Sequence, residues 1–519
     1  MTVTGDRASQ PRGAAALAGA LGAGAALATT EAFALIDANG TSVIEAVGNR
    51  FIESFAASLK DVAVALFGTS DKAALQIGTV LVCLAIGAWL GTWLDRRPNV
   101  VVGGFGAFAL VGILSSASDP QASLVLAIAA CAVAALVGSA VAIGLHRRWC
   151  GPDRSLGGAE PVPSGAAAVP RRTVLVNAAA TSAILVAGTA AARAIRDAAR
   201  TGATAVRTAL PRPTSTIPVP TDEPPVAGIS PFVTPTDDFY RIDTALRVPV
   251  VDVDGWSVKI TGLVDRDLEL TFDDLLARDL VEVPITMLCV SNEVGGDLVG
   301  TARWLGVPLA ELLEEAGVQA GAEQVMAESV DGFTAGFPVE AALDGRDALL
   351  VVGMNGASLP TEHGYPARLV VPGLYGYVSA VKWLSEIRLT TWDEEGFWIP
   401  RGWSRLGPVK TSSRIDVPRR GADLAAGTVA IAGVAWAPTR GIERVEVQVD
   451  DGPWEEATLG PTASDDTWVQ WWSRWEATPG SHEIRVRATD GDGVTQTAEE
   501  ARPDPDGATG HHTVRVDVS

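Results

Sequence analysis

Apolar and polar residues divide this chain into two parts of opposite character. Residues 73–94, 100–117, 122–145 and 173–192 are continuous apolar stretches without an internal charge. Each approaches or exceeds the roughly 20 residues that a helix needs to cross a bilayer. Residues 13–36 predict a fifth span, with Glu31 close enough to its end to reach the interface. Residues 42–67 mix apolar and charged positions and are expected to lie on a membrane surface. After Pro211 the pattern is that of a soluble protein. Residues 211–235 hold eight prolines and read as an extended tether. Polar–apolar alternation over 252–270 predicts strand. Thr271 followed by Asp274 predicts a short capped helix over 271–278, and 308–317 predicts a second helix closed by Gly317. From about Lys410 the alternating runs 429–436, 442–450, 468–477, 482–489 and 513–518 are separated by Gly/Pro/Asp turns, the pattern of a β-sandwich.

These elements predict a multi-domain chain: an N-terminal α-helical membrane domain (1–200), a proline-rich linker (201–235), an α+β domain (236–405) and an immunoglobulin-like β-sandwich (406–519). Strand, helix and Gly-rich loop mix without a βαβ rhythm. No dinucleotide fingerprint follows a strand and no phosphate-binding Walker loop is present.

Charge follows the same division. Residues 1–220 carry 17 Lys/Arg and 12 Asp/Glu, whereas the rest carries 23 and 49. An acidic balance of that size argues against nucleic acid as a partner. Arg7, Arg12, Arg96, Arg97, Arg147, Arg148, Arg154, Arg171 and Arg172 all fall on one side if the N-terminus is cytoplasmic and the region after the fifth span lies outside. Arg193, Arg196, Arg200, Arg207 and Arg212 conflict with that orientation. The pair Arg171-Arg172 before an apolar run is similar to a twin-arginine export signal, which would carry a domain folded around its cofactor. The membrane half holds a single histidine, His146, too few for a bis-histidine haem.

The four cysteines do not form a disulfide framework. Cys83 and Cys131 lie within apolar runs. Cys289 is the sole cysteine after Cys150, and a β-prone run delivers it into the small, polar turn Val290-Ser291-Asn292-Glu293-Val294-Gly295-Gly296. Location alone leaves packing and chemistry both open. The acids of Asp450-Asp451-Gly452 and Asp490-Gly491-Asp492-Gly493 read as turns rather than as a calcium loop.

Several blocks, in order, resemble the sulfite oxidase family of molybdopterin enzymes. They are Asp238-Phe239-Tyr240-Arg241-Ile242-Asp243, Leu288-Cys289-Val290-Ser291-Asn292, Thr301-Ala302-Arg303-Trp304, the run from Met354 to Pro360, the run from His363 to Gly373, and Ser379-Ala380-Val381-Lys382-Trp383-Leu384. The resemblance covers about 234–391 and implies a molybdenum–molybdopterin cofactor, with Cys289 as the protein thiolate on the metal. It implies that Tyr240, Arg241, Ser291, Arg303, His363, Arg368, Ser379 and Lys382 contact the cofactor, and that Cys289 and Arg241 serve catalysis. Guanidinium groups suit the cofactor's phosphate. The membrane half resembles a membrane-anchored bacterial branch, and residues 406–519 look like the family's dimerisation domain, which implies a homodimer. Two departures stand out: Phe333 occupies the place of the family's active-site tyrosine, and Ser379 or Ala380 stands where the anion pocket has an arginine.

The resemblance implies two-electron oxygen-atom transfer on a small-molecule oxo substrate, outside the cytoplasmic membrane. Electrons would pass to or from a separate quinone-linked or cytochrome partner, with membrane lipid around the spans. A non-catalytic membrane-anchored receptor or adhesion protein would need none of the ordered Cys/Arg/His blocks. A transporter would place charge within its spans.

Overall fold

The structure is a computed structural model and describes residues 10–37, 40–51, 71–150, 170–203, 209–222 and 224–519. The chain forms two compact units. One comprises Met1–Ala205 with Ala245–Val250, and the other comprises Val206–Thr244 with Val251–Ser519.

In the first unit, α1 (Gln10–Phe33), α2 (Asp71–Gly91), α3 (Pro98–Ala117), α4 (Leu124–Cys150) and α5 (Arg171–Ala203) coincide with the five apolar stretches. All five are long and apolar enough to cross a membrane. Small residues let the helices approach closely: a Cβ on Gly19 of α1 would stand 2.1 Å from the carbonyl oxygen of Gly87 on α2. Glu31, near the end of α1, is buried within the helical unit. It is 3% exposed and pairs at 3.0 Å with Arg193 of α5. Residues 43–51 are helical. They bury Ile44 and Ala46, and Glu45 forms ion pairs with Arg196 (3.1 Å) and Arg247 (2.6 Å). The remainder of the expected surface segment, 52–67, lies outside the described residues.

The second unit begins with the proline-rich segment. It is extended, yet it is not a free tether. Its strand β1 (Ser215–Thr216) runs parallel to a strand of the first sheet, at Val281 and Glu282. Phe232 is buried, its carbonyl accepting from Trp468 Nε1 at 2.8 Å. An extended backbone with few N–H groups of its own still offers carbonyls, and neighbouring side chains use them.

The expected strand over 252–270 is a hairpin, β2 (Ser257–Gly262) and β3 (Leu268–Thr271). Thr271 and Asp274 form the expected capping box on α6 (Phe272–Leu276). Then come β4 (Val281–Leu288), β5 (Val299–Pro308), α7 (Leu309–Ala316), β6 (Gln324–Ser329), β7 (Thr334–Pro338), α8 (Glu340–Leu343), β8 (Leu349–Met354), β9 (Ala357–Ser358), β10 (Arg368–Val370), α9 (Gly376–Ser379) and β11 (Leu384–Thr390). Helix α7 ends at Gly317 with φ 73°, as its sequence predicts. One sheet has the order β1-β4-β5-β8-β10 with β9 on β8, and the other has the order β3-β2-β11-β6-β7. Both bury their inner faces in one core, among them Ile260, Ile285, Trp304, Phe337, Val351 and Ile387. The region is α+β.

The C-terminal region is β-rich. Its longer strands are β12 (Ser412–Val417), β14 (Gly427–Trp436), β15 (Ile442–Val449), β18 (Val469–Ala477), β19 (Gly480–Asp490) and β20 (His512–Val518). Short strands β13 (Asp423–Leu424), β16 (Glu455–Glu456) and β17 (Thr458–Leu459) complete two sheets, β12-β14-β18-β17 and β13-β20-β19-β15-β16. The two sheets share a core that includes Ile431, Val445, Trp471, Ile484 and Val514.

A further apolar cluster joins the two regions. It contains Leu288 and Val290, which flank Cys289, together with Tyr375, Val434, Trp436 and Trp468. Thr286 of β4 and Thr301 of β5 share a 2.5 Å hydroxyl bond, and the Trp468 N–H donates to Thr286 Oγ1 at 2.7 Å. The floor beneath Cys289 is thus built from both regions.

Candidate functional site

Cys289 ends β4 at the point where the chain leaves the sheet. It is 7% exposed and takes part in no disulfide. Its turn closes on itself. The Cys289 N–H donates to the Leu298 carbonyl (3.0 Å), the Asn292 N–H donates back to the Cys289 carbonyl (3.0 Å), and the Leu298 N–H donates to Asn292 Oδ1 (2.8 Å). The C-terminal region clamps the same turn. Arg414 Nη1 donates to the Gly296 carbonyl at 2.9 Å, and the His512 ring lies against Gly295. Ser291 sits within the turn, half-buried.

Around this turn the structure collects most of the residues singled out by sequence. Tyr240 stacks on Phe239 at 5.1 Å, and Phe239 meets the His363 ring edge-on at 5.7 Å. Burial raises the Tyr240 hydroxyl pKa, and the Cys289 side chain acts on it in the same direction. Arg368 is 5% exposed and lies over the Trp304 ring at 5.2 Å. Its guanidinium donates to the carbonyls of His363 (3.1 Å) and Leu369 (3.4 Å). Burial pushes its pKa down to about 10. Lys382 Nζ donates to Asp243 Oδ2 (2.9 Å) and to the Glu362 carbonyl (3.1 Å). Burial pushes its pKa down to about 8, against the opposing pull of Asp243. His363 is pushed to about 4 by burial and by the nearby Arg368 and Lys382, so its ring is neutral at physiological pH. Ser379 is buried and donates to the Tyr375 carbonyl at 3.1 Å. Gly364, at φ 111°, has no room for a side chain, since a Cβ there would press on Arg368 and Lys382.

Two residues stand differently. Arg241 is 40% exposed and pairs with Asp243 at 3.0 Å; its charge reaches His363 and Lys382. Arg303 faces away from Trp304, as alternation along β5 requires, and meets Glu282 Oε2 at 3.5 Å. The structure therefore does not bring the Arg303 side chain into the Tyr240–His363–Arg368 group.

Sequence reasoning passed over three residues. Asp243 bridges Arg241 and Lys382. Asp331 has its pKa raised by burial while facing Lys382 and Asp243. Tyr375 is pushed up to about 12, chiefly by burial, with Cys289 among the groups acting on it. Asp243 lies within a quoted block, two residues from Arg241, where an i, i+2 acid–base pair in an extended segment was a readable signal.

The group fits an anionic, metal-bearing cofactor. Among the described residues no carboxylate pairs with the buried Arg368 guanidinium, whose bonds go to main-chain carbonyls. A buried charge of that kind is costly unless an anion joins it. Among the described residues no three His, Cys, Asp or Glu side chains converge on a metal position.

Comparisons with known proteins agree with this geometry. Residues 245–398 match the family model described as oxidoreductase molybdopterin binding domain. The chain is 31% identical over 309 residues to a sulfite oxidase of Arabidopsis thaliana, covering 48% of this chain and 78% of that protein. It is 29% identical over 288 residues to the mitochondrial sulfite oxidase of Rattus norvegicus, covering 47% and 52%. The chain thus spans about half the length of this animal relative. A solved structure titled as the sulfane dehydrogenase SoxCD of Paracoccus pantotrophus aligns with TM-score 0.49 and 24% identity, over 60% of this chain and 88% of that one. With the cysteine turn, the buried cations and this shared sequence in place, the chain belongs to the sulfite oxidase family of molybdopterin-dependent oxidoreductases.

Proposed function

We propose that this chain is a membrane-anchored molybdopterin-dependent oxidoreductase that carries out two-electron oxygen-atom transfer. The observation that carries the reading is the buried Arg368 guanidinium without a carboxylate partner among the described residues, in the residue group that includes Tyr240, which Cys289 influences. When bound, the molybdenum cofactor would supply the two-electron couple and the centre at which oxygen is gained or lost. Cys289 would supply the one protein thiolate, a soft donor suited to that metal. Arg368 and Lys382 would bind its anionic groups, with neutral His363 and Tyr240 as hydrogen-bond partners. Asp243 would hold Lys382 and Arg241 in place through their shared ion pairs.

In the oxidative direction the substrate takes oxygen from water and releases two protons and two electrons. In the reductive direction the same atoms and charges run backwards. A separate quinone-linked or cytochrome partner would exchange the electrons. The five spans would anchor the protein in the cytoplasmic membrane with the catalytic region outside, and residues 406–519 would pair two chains.

Metal analysis tests the core of this reading. About one molybdenum per chain is expected, and Cys289→Ser should abolish turnover while the fold persists, because a hydroxyl is a poor ligand for a soft metal. Active protein without molybdenum, or undiminished activity in Cys289→Ser, would overturn it.

A further inference from the structure

Arg414 stands where three parts of the second unit meet. It lies on β12 of the C-terminal region, and its side chain is only 11% exposed. Its guanidinium is directed three ways. Nε donates to Asp416 Oδ1 on the same strand (2.7 Å), Nη2 donates to Ser230 Oγ (2.8 Å), and Nη1 donates to the Gly296 carbonyl (2.9 Å). The Ser230 N–H donates in turn to Asp416 Oδ2 at 2.9 Å, and the Ser230 carbonyl accepts from Gln470 Nε2 at 2.7 Å. A Cβ on Gly228 would lie 3.3 Å from Val417, so this part of the proline-rich segment runs along β12. Arg414, Asp416 and Ser230 thus form a closed ring of bonds, from which Nη1 reaches out to the cysteine turn.

The turn itself carries that contact to Cys289. A Cβ on Gly296 would stand 2.6 Å from Asn292 Oδ1, so the Gly296 backbone lies directly on that amide. Asn292 holds Cys289 from both sides. Its N–H donates to the Cys289 carbonyl, and its Oδ1 accepts from Leu298, whose carbonyl accepts the Cys289 N–H. Thr286, three residues before Cys289, is fixed by Thr301 and Trp468. Thr286 therefore sets the chain's approach to the cysteine, and Arg414 sets its exit.

From this geometry we infer that Arg414 is the positioning residue of the metal-binding thiolate. It holds the turn so that Cys289 Sγ can ligate molybdenum, and it does so while Asp416 and the 228–230 segment are docked on the same strand. The inference rests on the proposed ligation by Cys289. It gives the C-terminal region a part in the metal chemistry beyond pairing two chains. Arginine suits the position because one rigid, planar group satisfies three acceptors, which a lysine ammonium on a flexible stem does not. Asp416 lets the charge remain buried, and a charged donor grips the Gly296 carbonyl more firmly than a neutral one.

The test uses full-length, molybdenum-loaded protein in detergent, with two readouts at Cys289. X-ray absorption counts the sulfur atoms on molybdenum. Iodoacetamide labelling, mapped by peptide mass spectrometry, reports how readily the thiol leaves the metal. Arg414→Met should lower the sulfur count towards that of Cys289→Ser and speed Cys289 labelling at least about tenfold. In the double variant Arg414→Met/Asp416→Asn no unpaired carboxylate is left buried, and the asparagine oxygen still accepts from Ser230. This variant should recover the unfolding midpoint while labelling stays fast, and it serves where Arg414→Met fails to fold. Arg414→Lys keeps the charge beside Asp416 but lacks the fork, so labelling should remain about fivefold fast at a near-normal midpoint. Arg487→Met is the control. It removes a 2.9 Å ion pair with Glu446 on the other sheet and should leave Cys289 labelling within about twofold of normal. Labelling that simply follows the unfolding midpoint across these variants, or stays normal in Arg414→Met, would overturn the inference. A sulfur count unchanged in Cys289→Ser would instead overturn the proposed ligation, which keeps the two failures distinct.

Discussion

Gly295 offers a sharp probe of how the C-terminal region holds the cysteine turn. Its φ is 78°, and a Cβ there would stand 2.2 Å from His512 Cδ2 and 2.3 Å from Nε2. Two costs follow for Gly295→Ala. The left-handed backbone costs an L-residue about 1–2 kcal/mol. The His512 ring must also move, which breaks the 2.9 Å bond from the Ile415 N–H to Nδ1. Leaving that N–H unpaired costs about 1–3 kcal/mol. The Nδ1 atom can accept because burial pushes the histidine's pKa down to about 4, so the ring is neutral. The sum is about 3 kcal/mol. His512→Ala alone should cost about 2–3 kcal/mol through the same lost bond and the space it opens. In the double variant the clash disappears and only the backbone cost is added, so the two substitutions should couple by about 2 kcal/mol. Thermal unfolding followed by tryptophan fluorescence is suited to the measurement, since 12 of the 15 tryptophans lie in the second unit. Each kcal/mol should move the midpoint by about 2 °C in a unit of this size. Molybdenum retention should fall in parallel with Gly295→Ala. Strictly additive losses in the double variant would refute the claim that His512 and the turn are in contact.

Three further outcomes are expected. Asp466 is 8% exposed, and burial, reinforced by Asp347, pushes its pKa up to about 6. The folded state then binds its proton more tightly than the unfolded state, so Asp466 costs stability above pH 6, and the cost disappears as pH falls towards 4. Asp466→Asn should stabilise the protein by about 2–3 kcal/mol at pH 8 and by nearly nothing at pH 4, measured by denaturant unfolding at both pH values. Lys382 loses its charge above about pH 8, so cofactor retention should decline above that pH, and Lys382→Met should weaken it about tenfold at pH 7 and remove the decline, read from pterin and molybdenum content after dialysis. Reporter fusions at Pro220 and Gly151 should report opposite sides of the membrane, and two cytoplasmic readings would refute the proposed orientation.

The broad fold was legible because its signals are local. A continuous apolar run long enough to span a bilayer, a capping box at Thr271 and Asp274, a glycine closing α7, and the alternating run 429–436 within β14 each act within a few residues. What sequence missed is non-local. Arg193 and Arg196 looked like violations of the charge asymmetry, yet they pair with Glu31 and Glu45, 162 and 151 positions away. Their charge is spent inside the helical unit, so they say little about which side of the membrane that end faces. The proline-rich segment misled for a related reason. Its composition specifies an extended backbone, but not that Phe232, Ser230 and Thr234 bond to Trp468, Gln470 and Asn355.

The site divides in the same way. Cys289, His363, Arg368 and Lys382 could be singled out as candidates because each sits in a short block whose residue types suit an anionic, soft-metal cofactor. Arg303 was readable as a cation, but not as one facing Glu282, because the face a strand side chain takes depends on which neighbouring residue the core claims. At β5 the core claims Trp304, and Arg303 must point the other way.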